Sequence, residues 1–115
     1  MVVHMKGDTP PGAEIDRIFQ ALADRTRRDI VRRVIGREQN LTDLAVRYDM
    51  SFAAVQKHVA VLDRAGLVRK QRRGREQFVA PVIDIIDRAR ALLDEYEALW
   101  RGRIQRMDAI LAERS

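Results

Sequence analysis

The segment RKQRRGRE, residues 69–76, concentrates cationic side chains of the kind that bind phosphate. These cations are Arg69, Lys70, Arg72, Arg73 and Arg75. Like charges held this close repel one another, and a bound anion offsets the repulsion. DNA phosphate is the natural candidate, because each neutralised phosphate also releases counterions. The segment therefore predicts a phosphate contact, with a merely solvated charged turn as the alternative.

Upstream of these cations, residues 51–64 have the apolar spacing of an amphipathic helix. Val55, Val59 and Leu62 predict its buried face, and Ser51 is a suitable N-cap. The outward positions near the N-terminus are Ser51, Phe52, Ala53, Gln56 and Lys57. An ordinary surface helix in a small bundle has the same spacing, so the pattern alone does not distinguish a DNA-reading helix from a surface helix.

The outward side chains are suited to contacts with base edges. Gln56 can pair with the edge of an adenine, and Lys57 can reach guanine or phosphate. Phe52 and Ala53 can touch thymine methyl groups. His58 is different: its position beside Val59 favours a partly buried, hydrogen-bonded role over base reading, and a lone histidine is not a metal site.

The preceding sequence predicts three further helices. Helical spacing places Ile15, Ile18, Phe19 and Leu22 on one face of the first helix and predicts that the second helix carries Ile30, Val31, Val34 and Ile35 inward. Asp24 is a suitable cap for the second helix, and Gly36 ends it. A short third helix over 42–48 has Thr42 as its expected N-cap. Together with 51–64 it matches a helix-turn-helix, whose second helix can enter the major groove.

The pattern changes after Gly66, which lies where a helix C-cap glycine belongs. Leu67-Val68 and Phe78-Val79 favour strands, with Gly74 in the charged turn between them. The segment therefore reads as a β-hairpin, positioned to act as the wing of a winged helix.

The last helix is predicted over 84–113. Ile86, Leu93, Trp100 and Met107 recur every seven residues, and such a helix would reach about 45 Å. Its apolar side is larger than a monomer of this size would leave exposed, which predicts pairing with a second copy. Tyr96 and Trp100 could instead line a ligand pocket, although dimer core is the favoured interpretation.

The composition agrees with one small domain that has an anionic partner. The chain has 115 residues, a formal net charge of +5 and no cysteine. The charge favours nucleic acid or acidic lipid, and the lack of cysteine excludes disulfides and thiolate metal sites. No apolar run is long enough for a membrane span. We expect a flexible tail over 1–13 and one domain over 14–115.

The chain resembles the ArsR family of bacterial winged-helix repressors, in its branch without metal-site cysteines. Three segments carry the resemblance: LADRTRRDIV, MSFAAVQKHVAVLDRAGLVRKQRRGRE and YEALWRGRIQRMDAIL. It covers about residues 14–111, and the pattern SxxAVxxHxxVLxxAGLV is the more specific part. The resemblance implies a mainly α winged helix-turn-helix with a small β-hairpin and a long C-terminal dimerisation helix. The implied function is a homodimeric cytoplasmic repressor, associated with the nucleoid, on palindromic operator DNA.

The resemblance also implies site residues. It places Ser51, Ala53, Gln56, Lys57 and His58 on the DNA-reading helix, and Arg73, Gly74 and Arg75 at the wing tip. It implies a dimer contact between the first and last helices, with these expected residues: Ile15, Phe19, Leu22, Leu93, Tyr96, Trp100, Ile104, Met107 and Leu111.

The departures from the family pattern concern metal binding and base preference. The third helix reads LTDLAVR, without cysteine, and the last helix has no histidine, so we expect neither metal nor cofactor. Arg25 stands where the family usually has proline, and Phe52 replaces a usual polar residue. No inducer is evident from the sequence.

Three other classes of function are alternatives to a sequence-specific repressor. A non-specific architectural DNA-binding protein would share the basic wing, and a protein-interaction module would use the long helix. An enzyme is not expected, because the sequence contains no acid/base pair, nucleophile set or phosphate loop.

Overall fold

The computed structural model describes residues 12–114, so most of the expected tail lies outside the described residues. The helices are α1 (Ala13–Leu22), α2 (Arg25–Gly36), α3 (Leu41–Val46), α4 (Phe52–Arg64) and α5 (Asp84–Glu113). The strands are β1 (Gln39–Asn40), β2 (Val68–Arg73) and β3 (Glu76–Pro81). The fold is mainly α with a small antiparallel sheet and a long C-terminal helix, which confirms the expected class.

Side-chain caps fix where the central helices begin. Asp24 caps α2 by accepting a hydrogen bond from the Arg27 backbone N–H at 3.0 Å, and Ser51 caps α4 through the Ala54 N–H at 3.1 Å. Both caps were predicted. The predicted Thr42 cap of α3 is wrong, because Asn40 Oδ1 accepts from the backbone N–H of Thr42 at 2.9 Å and α3 begins one residue earlier.

The core lies where the first four helices meet the inner face of the sheet. Val55, Val59 and Leu62 of α4 are fully buried, as their spacing predicted. Ile35 is a correction, because it was expected to face inward and is 52% exposed. Each residue turns the helix by about 100°, so α2 directs Val34 into the core and carries Ile35 away from it.

The sheet has the strand order β1-β3-β2 and is antiparallel throughout. The β2–β3 hairpin is the predicted wing, with a register running from Val68 opposite Pro81 to Arg73 opposite Glu76. Gly74 has φ +64°, as expected for a two-residue turn whose first position is glycine. Strand β1 was not predicted, since its two residues have no apolar alternation to detect.

Helix α5 is attached to the rest of the chain only near its N-terminus. Ala89 is buried, and Ile85 and Ile86 pack against the core. Arg88 of α5 also pairs with Glu14 of α1, with an Nη1–Oε2 distance of 2.5 Å. The rest of α5 extends outward, which gives the molecule a longest dimension of 71 Å. Within residues 12–114, no helix combines the length and apolar character that a membrane span requires.

Candidate nucleic-acid interface

The helix-turn-helix consists of α3, residues 47–51 and α4. Its geometry is supported by a polar cluster between α2 and the turn: the Tyr48 hydroxyl donates to Asp29 Oδ2 at 2.6 Å, and Arg33 Nε donates to the same oxygen at 2.8 Å. These two hydrogen bonds, with Tyr48 the larger cause, lower the pKa of Asp29. Burial and the Asp29 contact raise the pKa of Tyr48 to about 12.

The N-terminal end of α4 is open to solvent on its outer side. Ser51, Phe52, Ala53, Gln56 and Lys57 are all exposed, and the Phe52 ring is 45% exposed. The structure therefore leaves each of these predicted reading residues accessible. Apolar Phe52 beside polar Gln56 presents two kinds of contact to a base edge, a methyl contact and a hydrogen-bonding amide.

His58 has a different environment from the other predicted reading residues. It is half-buried, and its Nδ1 lies 3.3 Å from Nη1 of Arg27. A guanidinium has only donors, so Nδ1 is the acceptor in this contact. Arg27 also donates to the backbone carbonyls of Gln20 and Ala21, which connects α4 to the end of α1. The partly buried, hydrogen-bonded position inferred from the sequence agrees with this contact.

The cations of the wing divide into paired and unpaired groups. Arg73 donates to both carboxylate oxygens of Glu38, at 2.6 and 3.0 Å, and its guanidinium lies 4.7 Å from the centre of the Phe78 ring. Arg72 Nε donates to the Gly74 carbonyl at 3.2 Å. The side chains of Arg69, Lys70 and Arg75 make no ion pair or hydrogen bond with any residue from 12 to 114.

The contact between Arg73 and Glu38 was not predicted, because the two residues are 35 positions apart in the chain. Glu38 neutralises one of the two arginines expected at the wing tip. Arg75 is exposed and keeps an unpaired charge next to Gly74. Of the two wing-tip arginines, only Arg75 is therefore free to meet a phosphate without first losing a partner.

A groove of about 330 Å³ separates the start of α4 from the wing. Phe52 and Gln56 line it from the helix, and Arg75 and Gln77 line it from the wing. The structure thus brings together two predicted reading residues, Phe52 and Gln56, and one predicted wing residue, Arg75. Gln77 was not predicted to be part of the site, although the alternation of β3 places it on the same face as the buried Val79.

The predicted dimer residues belong to two groups. Those on α5 are exposed: Leu93, Tyr96, Trp100, Ile104, Met107 and Leu111 range from 40% to 63%. Leu99 and Ile110 are also exposed and extend this apolar face. Those on α1 are divided, since Ile15 and Leu22 pack partly against the core of their own chain and Phe19 is 36% exposed.

Helix α4, the second helix of the helix-turn-helix, exposes its start beside the cationic β2–β3 hairpin. This arrangement defines a winged helix-turn-helix DNA-binding regulator. Among residues 12–114, no three His, Asp or Glu side chains are close enough together to hold a metal ion. No family model matches the chain.

Comparison with known proteins identifies the family. An uncharacterized HTH-type transcriptional regulator, YuzN of Bacillus subtilis (strain 168), is 43% identical over 67 residues, covering 52% of this chain and 73% of that protein. The crystal structure of an ArsR family transcriptional regulator is 30% identical, with TM-score 0.76, and the match covers 81% of this chain and 96% of that one. The chain belongs to the ArsR family of winged helix-turn-helix transcriptional regulators.

A third comparison concerns the fold alone. The homodimeric winged helix-turn-helix DNA-binding domain of Mb0332 from Mycobacterium bovis is 22% identical, with TM-score 0.60. The match covers 82% of this chain and 91% of that domain.

Proposed function

We propose that this DNA-binding regulator is a homodimeric repressor that recognises a palindromic operator. The observation that carries the proposal is the open, polar start of α4 beside a wing with unpaired cations. A repressor of this kind acts on chromosomal DNA in the bacterial cytoplasm. We expect the two copies of α4 in a dimer to enter successive major grooves about 34 Å apart.

Base reading is assigned to the exposed start of α4. Gln56 offers the donor and acceptor that match an adenine edge, while Lys57 reaches guanine or phosphate. Phe52 and Ala53 contact thymine methyl groups, and Ser51 lies at the helix end nearest the DNA. His58 supports the helix from its inner side through Arg27, so its effect on base preference is indirect.

Phosphate contacts are assigned to the wing, mainly to Arg69, Lys70, Arg72 and Arg75. Arg73 contributes less, because a phosphate must displace the Glu38 carboxylate that already pairs with it. The net gain from exchanging one anionic partner for another is small. This difference between neighbouring arginines provides a matched control.

The wing assignment is tested by salt titration of operator binding. Arg75→Ala removes two phosphate contacts from a dimer, so the slope of log affinity against log salt should become shallower by up to about 1.8. Arg73→Ala should change the slope less. Discrimination between operator and random DNA should fall little in either variant, because phosphates have no base identity. An unchanged slope in Arg75→Ala would show that Arg75 contacts no phosphate, and an unchanged slope when Arg73 and Arg75 are both changed to Ala would show that the wing tip stands off the DNA.

The dimer is assigned to the apolar face of α5, together with Phe19 of α1. That face has no covering element among residues 12–114 beyond its first turns. The homodimeric Mycobacterium bovis domain, which shares the fold, supports this assignment. Footprinting on genomic DNA tests the function as a whole: protection of one short palindrome supports a repressor, whereas uniform coating indicates an architectural DNA-binding protein.

A further inference from the structure

Gln77 has a buried acceptor without a partner. Its Oε1 is shielded from solvent and accepts no hydrogen bond from residues 12–114. A buried oxygen in this condition is unfavourable, and such groups are usually paired in native proteins. We therefore expect the missing donor to reach Gln77 Oε1 in the complex with DNA.

The position of Gln77 restricts which donors are available. It lies opposite Arg72 in the hairpin and shares a strand face with the buried Val79. It lines the same groove as Gln56 and Arg75. DNA phosphates only accept hydrogen bonds, so a phosphate in this groove cannot satisfy an oxygen.

Gln56 is the side chain in this groove that can donate a hydrogen bond to Gln77 Oε1 while it also pairs with adenine. A glutamine amide has one oxygen and two N–H groups. Pairing with adenine uses the oxygen, which accepts from N6, and one N–H, which donates to N7. The second N–H remains free, and Gln77, which lines the same groove, has in Oε1 an unpaired acceptor for it.

We propose that Gln77 is a positioning residue that holds the Gln56 amide in its adenine-reading orientation. This inference rests on the proposed base-reading role of Gln56. With the amide held, its oxygen faces the position of adenine N6, and the O6 acceptor of guanine at that position is repelled. Without Gln77 the amide can rotate and turn its nitrogen toward guanine O6 and N7, which are both acceptors.

The test compares binding to the operator with binding to an operator in which the adenine read by Gln56 is replaced by guanine. Gln77→Met removes the acceptor with little change in volume and should lower the preference for adenine by roughly tenfold. Gln77→Glu keeps an acceptor oxygen at the same place. It should retain that preference while weakening binding to all sequences, because it adds a negative charge near DNA.

Combination with Gln56→Ala distinguishes positioning from a merely structural role. If Gln77 acts through Gln56, Gln77→Met should have no further effect on base preference in the Gln56→Ala background. Loss of preference at many positions, or a changed salt slope alone, would overturn the proposal, and the second result would indicate Arg75 as the partner. Loss of preference in Gln56→Ala but not in Gln77→Met would overturn the positioning role alone, whereas no loss in Gln56→Ala would remove both.

A measurement on the wild-type protein does not depend on any variant folding. The proposal predicts that the Gln56 side-chain N–H signals in the NMR spectrum of the operator complex show slowed solvent exchange for both protons. Fast exchange of the proton that does not face adenine would contradict the hydrogen bond to Gln77.

Discussion

Helices α4 and α5 have similar apolar patterns but very different surroundings. Val55, Val59 and Leu62 of α4 are all 0% exposed, whereas Leu93, Trp100 and Met107 of α5 are 54%, 57% and 53% exposed. Helix α4 packs against α1, α2, α3 and β2 of its own chain, whereas α5 meets α1 only near its start. An apolar stripe therefore shows that a helix buries one face, but not which chain supplies the partner.

The comparison also separates two kinds of polar surface. The outer side of α4 contributes to a groove with polar side chains, whereas the polar side of α5 consists of solvated charges and short-range ion pairs such as Arg101 with Glu97 at 3.4 Å. Exposed pairs of this kind add little stability. We expect substitutions on α4 to affect folding or DNA reading, and substitutions on α5 to affect association.

The largest effect is expected for Trp100→Glu, which places two charges in the proposed dimer seam. Large interface side chains contribute about 2 kcal/mol or more each, so two symmetry-related changes should weaken the dimer by on the order of 4 kcal/mol. Sedimentation at micromolar concentration should show twice the 13.3 kDa of one chain for wild type and a single chain for the variant.

A charge reversal on the other side of the same helix is the matched control for this prediction. Asp94 is exposed and lies, by helical spacing, on the side of α5 away from Leu93, Trp100 and Leu99, so Asp94→Lys should leave the dimer intact. A wild-type protein that sediments as a monomer would contradict the dimer and its operator geometry together. A Trp100→Glu variant that still forms a dimer would show that the dimer contact lies elsewhere on the molecule.

The next effect, of comparable or smaller size and on folding rather than association, is expected for Leu62→Ala. Leu62 is fully buried, and truncation of such a leucine typically costs about 2–5 kcal/mol, through lost burial and the cavity left behind. Urea unfolding at one fixed protein concentration measures the change. With both changes made in the Trp100→Glu background, which is expected to be monomeric, Leu99→Ala on α5, where the side chain is 63% exposed, should cost much less in the free energy of unfolding. Equal losses would erase the distinction between the two helices.

The smallest effect is expected for Tyr48→Phe, which removes the hydroxyl that donates to Asp29. A hydrogen bond to a carboxylate that is partly exposed should contribute about 1 kcal/mol to the free energy of unfolding. Since this contact lies within one chain, its loss should be the same in the Trp100→Glu background. A loss of stability that appears only in the dimer would show that the Tyr48–Asp29 contact acts through association and not through folding of one chain.

The Tyr48 contact also has a defined pH dependence. Folding raises the pKa of Tyr48 from about 10 to about 12, so its contribution is complete below pH 10 and is lost between these values. Folding lowers the pKa of Asp29 below 3.8, so its contribution is present above that value and disappears in stronger acid. Urea unfolding of both proteins across pH should show the stability difference shrinking at both extremes.

Much of the fold could be predicted because its signals are local. The apolar spacing of α4, the Asp24 and Ser51 caps and Gly74 in the wing turn each depend on residues within about four positions of one another. The predicted bounds of α5, 84–113, agree with the structure for the same reason. Periodicity did not distinguish Ile35 from its buried neighbours, because the width of a buried face depends on what packs against it.

The sequence by itself determined the order of helices, the outward face of α4 and the concentration of positive charge in the wing, because repeating side-chain patterns and turn chemistry act over short distances. Tertiary structure decided which of those charges remain unpaired. It joined Arg73 to Glu38 across 35 positions, brought Gln77 to the groove beside Gln56, and placed β1 next to β3. These contacts depend on how distant segments pack, and no local spacing encodes that arrangement.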